Sequence, residues 1–113
     1  MIDNPAVEIT LINQPRRSPA SALRPDLMRP LRELVDEMFG PIPIIPTMST
    51  GATDGNYVRN AGIPTYGLSA IFGVPGEGRA HGLDERVRVA SFYEALEFWY
   101  EMVKRLSSPQ MIP

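Results

Sequence analysis

Ten of the chain's twelve prolines lie in the first 75 of its 113 residues, and none falls between Pro75 and Pro109. Proline fixes φ and cannot donate a backbone hydrogen bond, so it interrupts helices and central strands alike. The front of the chain is therefore limited to short elements, and the back can hold one long helix. Hydrophobic residues make up 43% and charged residues 21%. That is the composition of a folded domain rather than a disordered segment.

Composition also removes several functions. The net charge of −2 leaves no basic footprint for nucleic acid. No apolar run is long enough to span a membrane. With no cysteine, the chain has no disulfide framework, thiolate metal site or cysteine nucleophile. Met1–Pro5 has no basic, apolar leader pattern, so a cytoplasmic protein is expected. The one histidine, His81, must carry any imidazole chemistry.

Residues 6–12 alternate as a half-buried strand does, with Val7, Ile9 and Leu11 on one face. Residues 13–24 read as a connector in which Arg16 and Arg17 form a solvated loop. From 25 to 39 the spacing predicts an amphipathic helix with Met28 and Met38 on its apolar stripe. Pro25 suits its first turn and Gly40 its end, while Pro30 should kink the first turn or delay the start. Residues 41–46 look like a proline-limited edge strand. A short helix follows, capped by Thr53 or Asp54 and stopped at Gly62. Thr65–Phe72 alternates again, and Gly73–Gly78 is a loop without a phosphate-binding pattern.

The last helix reads most clearly. Ser91 and Glu94 fit a capping box. Phe92, Ala95, Leu96, Trp99, Met102, Val103 and Leu106 form one stripe, with Trp99 in the core and Phe98 and Tyr100 flanking it. Strand, helix, short strand, small helix, strand and long helix make an α/β order.

Two stretches could carry chemistry. Met48–Tyr57 is small and polar between an expected strand and an expected helix. It could let a ligand carboxylate approach backbone N–H groups, or be a structural loop with an N-cap aspartate. In Arg79–Arg86, His81 could bind a metal. One imidazole is not a site, because catalytic zinc normally takes three protein ligands. Asp84 and Glu85 could orient the imidazole or pair with Arg79, Arg86 or Arg88.

Taken together, Ser49–Tyr57, Ala61-Gly62-Ile63-Pro64 and His81–Val87 resemble the C-terminal segment of the M20 family of two-zinc metallopeptidases and amidohydrolases. The His-Gly-x-x-Glu-Arg form is most similar to the carboxypeptidase S branch, with aminoacylase-1 a relative. The resemblance covers roughly residues 25–107. It implies part of a three-layer αβα sheet with flanking helices, the C-terminal part of a zinc-peptidase catalytic domain. Residues 1–24 would be the last strand of a lid domain plus a linker, and 25–113 the catalytic part.

The resemblance assigns His81 as the last zinc ligand and Glu85 as the acidic group behind it. Gly51, Ala52, Thr53 and Asp54 become the turn beside the substrate's carboxylate. Asn56 stands where many members carry arginine, which weakens any charged grip on substrate there. The implied chemistry is amide hydrolysis by a water bridging two zincs. The substrate would be a peptide or N-acyl amino acid. The general base and the remaining zinc ligands have no matching stretch in this chain. A fragment, inactive by itself, is therefore expected, with the rest of the catalytic domain as partner and a homodimer possible. The alternatives are a stand-alone α/β interaction module and a complementing subunit that supplies His81.

Overall fold

The computed structural model describes residues 4–10, 12, 16–49 and 51–108. Among them are three helices: α1 (Pro25–Phe39), α2 (Gly55–Asn60) and α3 (Val89–Ser107). Helix α1 starts with Pro25 in its first turn, where the missing N–H has no partner to lose. Asp26, also in that turn, pairs with Arg24. The helix continues through Pro30, which is buried and neither delays nor ends it. Gly40 closes it, donating its N–H to the Asp36 carbonyl at 3.2 Å.

Helix α2 ends in the two bonds of a Schellman motif. The Gly62 N–H reaches Arg59 O at 2.9 Å and the Ile63 N–H reaches Val58 O at 3.2 Å. Gly62 has φ +86°, where a side chain is disfavoured. The stop at Gly62 therefore has a specific backbone cause.

The core lies where α1 crosses α3. Leu31, Leu34 and Val35 of α1 meet Ala95, Phe98 and Met102 of α3, with Ala70 beside them. Met28 and Met38 pack against this cluster. Phe39 stacks on Phe98, with ring centroids 6.0 Å apart, and takes the edge of Phe72 at 4.9 Å. At the far end of α3, Arg105 forks onto the Glu37 carboxylate.

The expected α/β layering is not found. Among the described residues there is no β-strand, and so no part of an αβα sheet. The alternating segments are there, but a strand also needs a neighbour to pair with. From 66 to 70 burial still alternates, with Tyr66, Leu68 and Ala70 turned inward, but Phe72, expected on the same face, is exposed. The N–H groups from Tyr66 to Ala70 have no hydrogen-bond partner among the described residues. Residues 42–46 also lack a ladder, and Pro43 and Pro46 have no donor to give one. At the start, Val7 and Ile9 are exposed, and Leu11 lies outside the described residues.

Two details of α3 also depart from expectation. The helix begins at Val89, two residues before Ser91, and Arg88 at its N-cap makes no side-chain cap bond. Ser91 is buried, and its Oγ accepts the Phe72 N–H at 2.6 Å. It holds the neighbouring segment instead of capping its own helix. The core face is Ser91, Ala95, Phe98 and Met102. Phe98 is 1% exposed and Trp99 is 40% exposed, so the two exchange the places expected of them. A 3.6-residue repeat allowed either neighbour, and it is Phe98 that packs into the α1 cluster and under Phe39.

The radius of gyration is 18.5 Å, with extents of 59 × 38 × 20 Å. A compact domain of this length would have a radius of about 13 Å. The chain is a thin, extended layer around a small core.

Candidate functional site

Residues 51–54 enter α2 as an exposed turn, with Gly55 and Asn56 half-buried, and Thr50 lies outside the described residues. Gly51 donates its N–H to the Ser49 hydroxyl at 3.2 Å. Asp54 is the N-cap residue but makes no side-chain cap bond. The first α2 donors are already engaged: Asn56 N–H reaches Thr53 O at 3.1 Å, and Tyr57 N–H reaches Asp54 O at 3.0 Å. The groups left to meet a ligand are the N–H groups of Ala52, Thr53, Asp54 and Gly55, which have no partner among the described residues.

Gly55 is closely surrounded. A Cβ there would sit 3.0 Å from Arg59 Nη1, 3.1 Å from Thr53 Oγ1 and 3.3 Å from Thr65 Cγ2. The Arg59 guanidinium thus lies against the base of the turn. Its Nε donates to Ser18 Oγ at 2.7 Å and its Nη1 to Thr65 O at 3.4 Å. Arg59 ties connector, turn and the 65–72 segment together, a role that residue spacing alone did not suggest.

Asn56 has a structural role as well. Its Nδ2 donates to Arg16 O at 3.3 Å, and its Oδ1 accepts from Asn60 Nδ2 at 2.6 Å. Asn60 also donates to Arg17 O at 3.2 Å. Ser21 Oγ donates to Thr65 O and accepts Thr65 N–H, both at 2.9 Å. The connector is therefore stitched to α2 through its backbone, while the Arg16 and Arg17 residues stay exposed.

His81 sits at a tight turn in which Gly82 N–H reaches Arg79 O at 2.9 Å. Its φ of +64° is left-handed, a region uncommon for residues other than glycine but one that histidine, like asparagine and aspartate, enters more often than most side chains. Asp84 braces the loop between Arg79 at 3.5 Å and Arg86 at 3.8 Å. These are exposed pairs and contribute little stability each. Glu85 is exposed and donates its N–H to Gly82 O at 3.3 Å. Among the described residues no cluster of three histidine, cysteine, aspartate or glutamate side chains could hold a metal ion. One imidazole does not fit a zinc centre, which takes three or four protein ligands. Among the described residues no hydrogen bond or ion pair joins the His81 loop to the 51–56 turn.

An open groove of about 300 Å³ lies elsewhere, lined by Arg24, Asp26, Leu27, Ile63, Tyr66 and Leu106 among others. It includes none of the candidate residues. Among the described residues no helix is long and apolar enough to cross a membrane.

The chain matches peptidase family M20/M25/M40 over residues 6–105, a span that includes both loops. It belongs to that family. The membership supports a hydrolase of the peptidase kind and a peptide as the class of substrate. No curated protein and no solved structure matches the chain.

Proposed function

We propose that the chain is the C-terminal segment of a zinc-dependent amide hydrolase of the carboxypeptidase S or aminoacylase type, incomplete by itself. Residues 1–24 form the lid strand and linker, and 25–113 belong to the catalytic domain. His81 contributes one metal ligand and Glu85 stands behind it. Gly51, Ala52, Thr53 and Asp54 face the carboxylate of a peptide or N-acyl amino acid, while Asn56 anchors that turn to the connector. The remainder of the catalytic domain supplies the other ligands and the general base. A cytoplasmic location is part of the same reading.

One observation carries it: the family match over residues 6–105 spans both loops. Support also comes from the donor set, since a lone exposed histidine needs ligands from elsewhere to hold zinc. Zinc titration of the isolated chain by calorimetry tests the fragment reading. Binding weaker than micromolar is expected. Tight one-to-one binding that His81→Ala abolishes would sink it, because a complete site would then lie in this chain.

A further inference from the structure

The turn at 51–54 has little of its own to hold it in shape. Its backbone is engaged only at the two ends, by the Gly51 N–H on Ser49 Oγ and by the Thr53 and Asp54 carbonyls. A capping residue is normally extended, but Asp54 is already helical at φ −60° and ψ −18°. Its carboxylate makes no cap bond. Helix α2, with six residues, is too short to be stable on its own hydrogen bonds. A turn that is to meet a ligand in one shape therefore needs a brace from outside.

Arg59 supplies a contact of that kind. It lies four residues after Gly55, and helical side chains lean toward the N-terminus, so its side chain folds back over the start of α2. It is half-buried. Its Nη1 stands 3.0 Å from the point a Cβ on Gly55 would occupy, and Thr53 Oγ1 stands 3.1 Å from the same point. The guanidinium and the Thr53 hydroxyl thus share the space that glycine leaves empty. Two other segments fix the rest of the guanidinium, through Ser18 Oγ at 2.7 Å and Thr65 O at 3.4 Å. Both acceptors are neutral oxygens, and among the described residues no carboxylate pairs with Arg59. What the residue contributes is the reach of a planar fork across three segments, which lysine lacks.

We propose that Arg59 is a positioning residue for the substrate turn. It holds residues 52–55 with their N–H groups open to the carboxylate of a peptide or N-acyl amino acid. This rests on the proposed function, which puts that carboxylate at the turn, and adds what keeps the turn ready to receive it. Order established beforehand favours binding, because fixing the backbone of one residue on binding costs roughly 10-fold in affinity. Arg59 acts through the turn and touches no reacting atom.

Backbone order parameters from NMR relaxation of the intact 113-residue chain give the first test. In the wild type, residues 52–55 should approach the rigid value of about 0.85, and in Arg59→Ala they should fall below about 0.6. Arg59→Lys should not restore them. Ser18→Ala removes the acceptor of Nε while leaving the α2 sequence intact, so α2 should persist even where Arg59→Ala frays it. It should loosen the same four residues, and adding it to Arg59→Ala should loosen them no further. A turn that stays ordered without Arg59, or that lysine restores, overturns the proposal.

The second test uses a complete hydrolase containing this segment. For a substrate with a free carboxylate, Arg59→Ala should raise KM by about 10-fold or more. Bound zinc should be unchanged and kcat should change less. For the same substrate with its carboxylate amidated, variant and wild type should agree. Equal losses on both substrates would mean general damage to the fold and would overturn the positioning role. Failure of the proposed function has a different signature, since the wild-type enzyme itself would then treat the two substrates alike. That result would overturn the substrate part of this inference, while the order parameters judge the brace separately.

Discussion

The hydroxyl of Ser91 accepts a hydrogen bond from the backbone N–H of Phe72 at 2.6 Å, across nineteen residues of sequence. It holds the end of the 65–72 segment on the α1–α3 layer and positions Phe72 for its edge contact with Phe39. Ser91→Ala leaves that N–H without an acceptor at a part-buried position. Losing a bond of this kind costs about 1–3 kcal/mol. Urea denaturation should show the loss, with little change in helical circular dichroism. A helix-capping role would instead predict a rescue by aspartate, and Ser91→Asp should not rescue.

Glu37 and Arg105 couple the ends of α1 and α3, and this pair sets an acid limit. The hydrogen bond from Arg105 holds the Glu37 carboxyl below its ordinary value, with charge attraction adding to it and partial desolvation opposing. Arg105 is correspondingly raised. A carboxyl depressed by folding stabilises the fold above its unfolded pKa, near 4.5, and ceases to do so as pH falls through its folded value. Thermal unfolding of wild type and Glu37→Gln should therefore differ at pH 7 and converge as pH falls below the depressed carboxyl value. Both side chains lie near solvent, so the gap should also shrink in high salt.

His81 carries opposite expectations for stability and for function. Its left-handed backbone disfavours any residue with a Cβ. Glycine removes that strain but gains freedom in the unfolded chain. His81→Gly should therefore leave the isolated chain as stable as wild type, or raise its stability by up to about 1 kcal/mol. In a complete hydrolase containing this segment, the same change should lower kcat/KM by orders of magnitude and reduce bound zinc. Lost stability in the isolated chain would show that the imidazole has a packing role there. Full activity with full metal content would remove His81 from the metal site.

The helices were legible because their causes are local. Apolar spacing marked 25–39, the Schellman glycine marked the end of α2, and the proline-free stretch allowed α3. Gly62 is the sharpest case, since one residue needing a positive φ located a boundary. The strands were not legible in this sense. Alternation in 65–72 predicts which side chains turn inward, and Leu68 and Ala70 do so. Pairing depends on a second segment, and alternation contains no information about it. The two loops of the candidate site were visible as motifs, but the groups that hold them were not. Nothing in Asn56, Asn60 or Arg59 announces that they bind the connector at Arg16, Arg17 and Ser18. Those contacts depend on where the chain returns.

Phe98 and Trp99 give the most direct test of how the core is arranged. Periodicity alone favoured Trp99 as the buried residue, because the apolar arc of α3 is wide enough to contain two faces. Phe98 lies under Phe39 and is 1% exposed, whereas Trp99 turns 40% of its surface outward. Phe98→Ala should cost about 3–5 kcal/mol, the range for truncating a buried aromatic side chain. Trp99→Ala should cost less, about 1–2 kcal/mol, since its ring is only part-buried, edge-on against Phe98. Chemical denaturation at low micromolar concentration measures both. Equal penalties would place Trp99 in the core and leave α3 with a single apolar face.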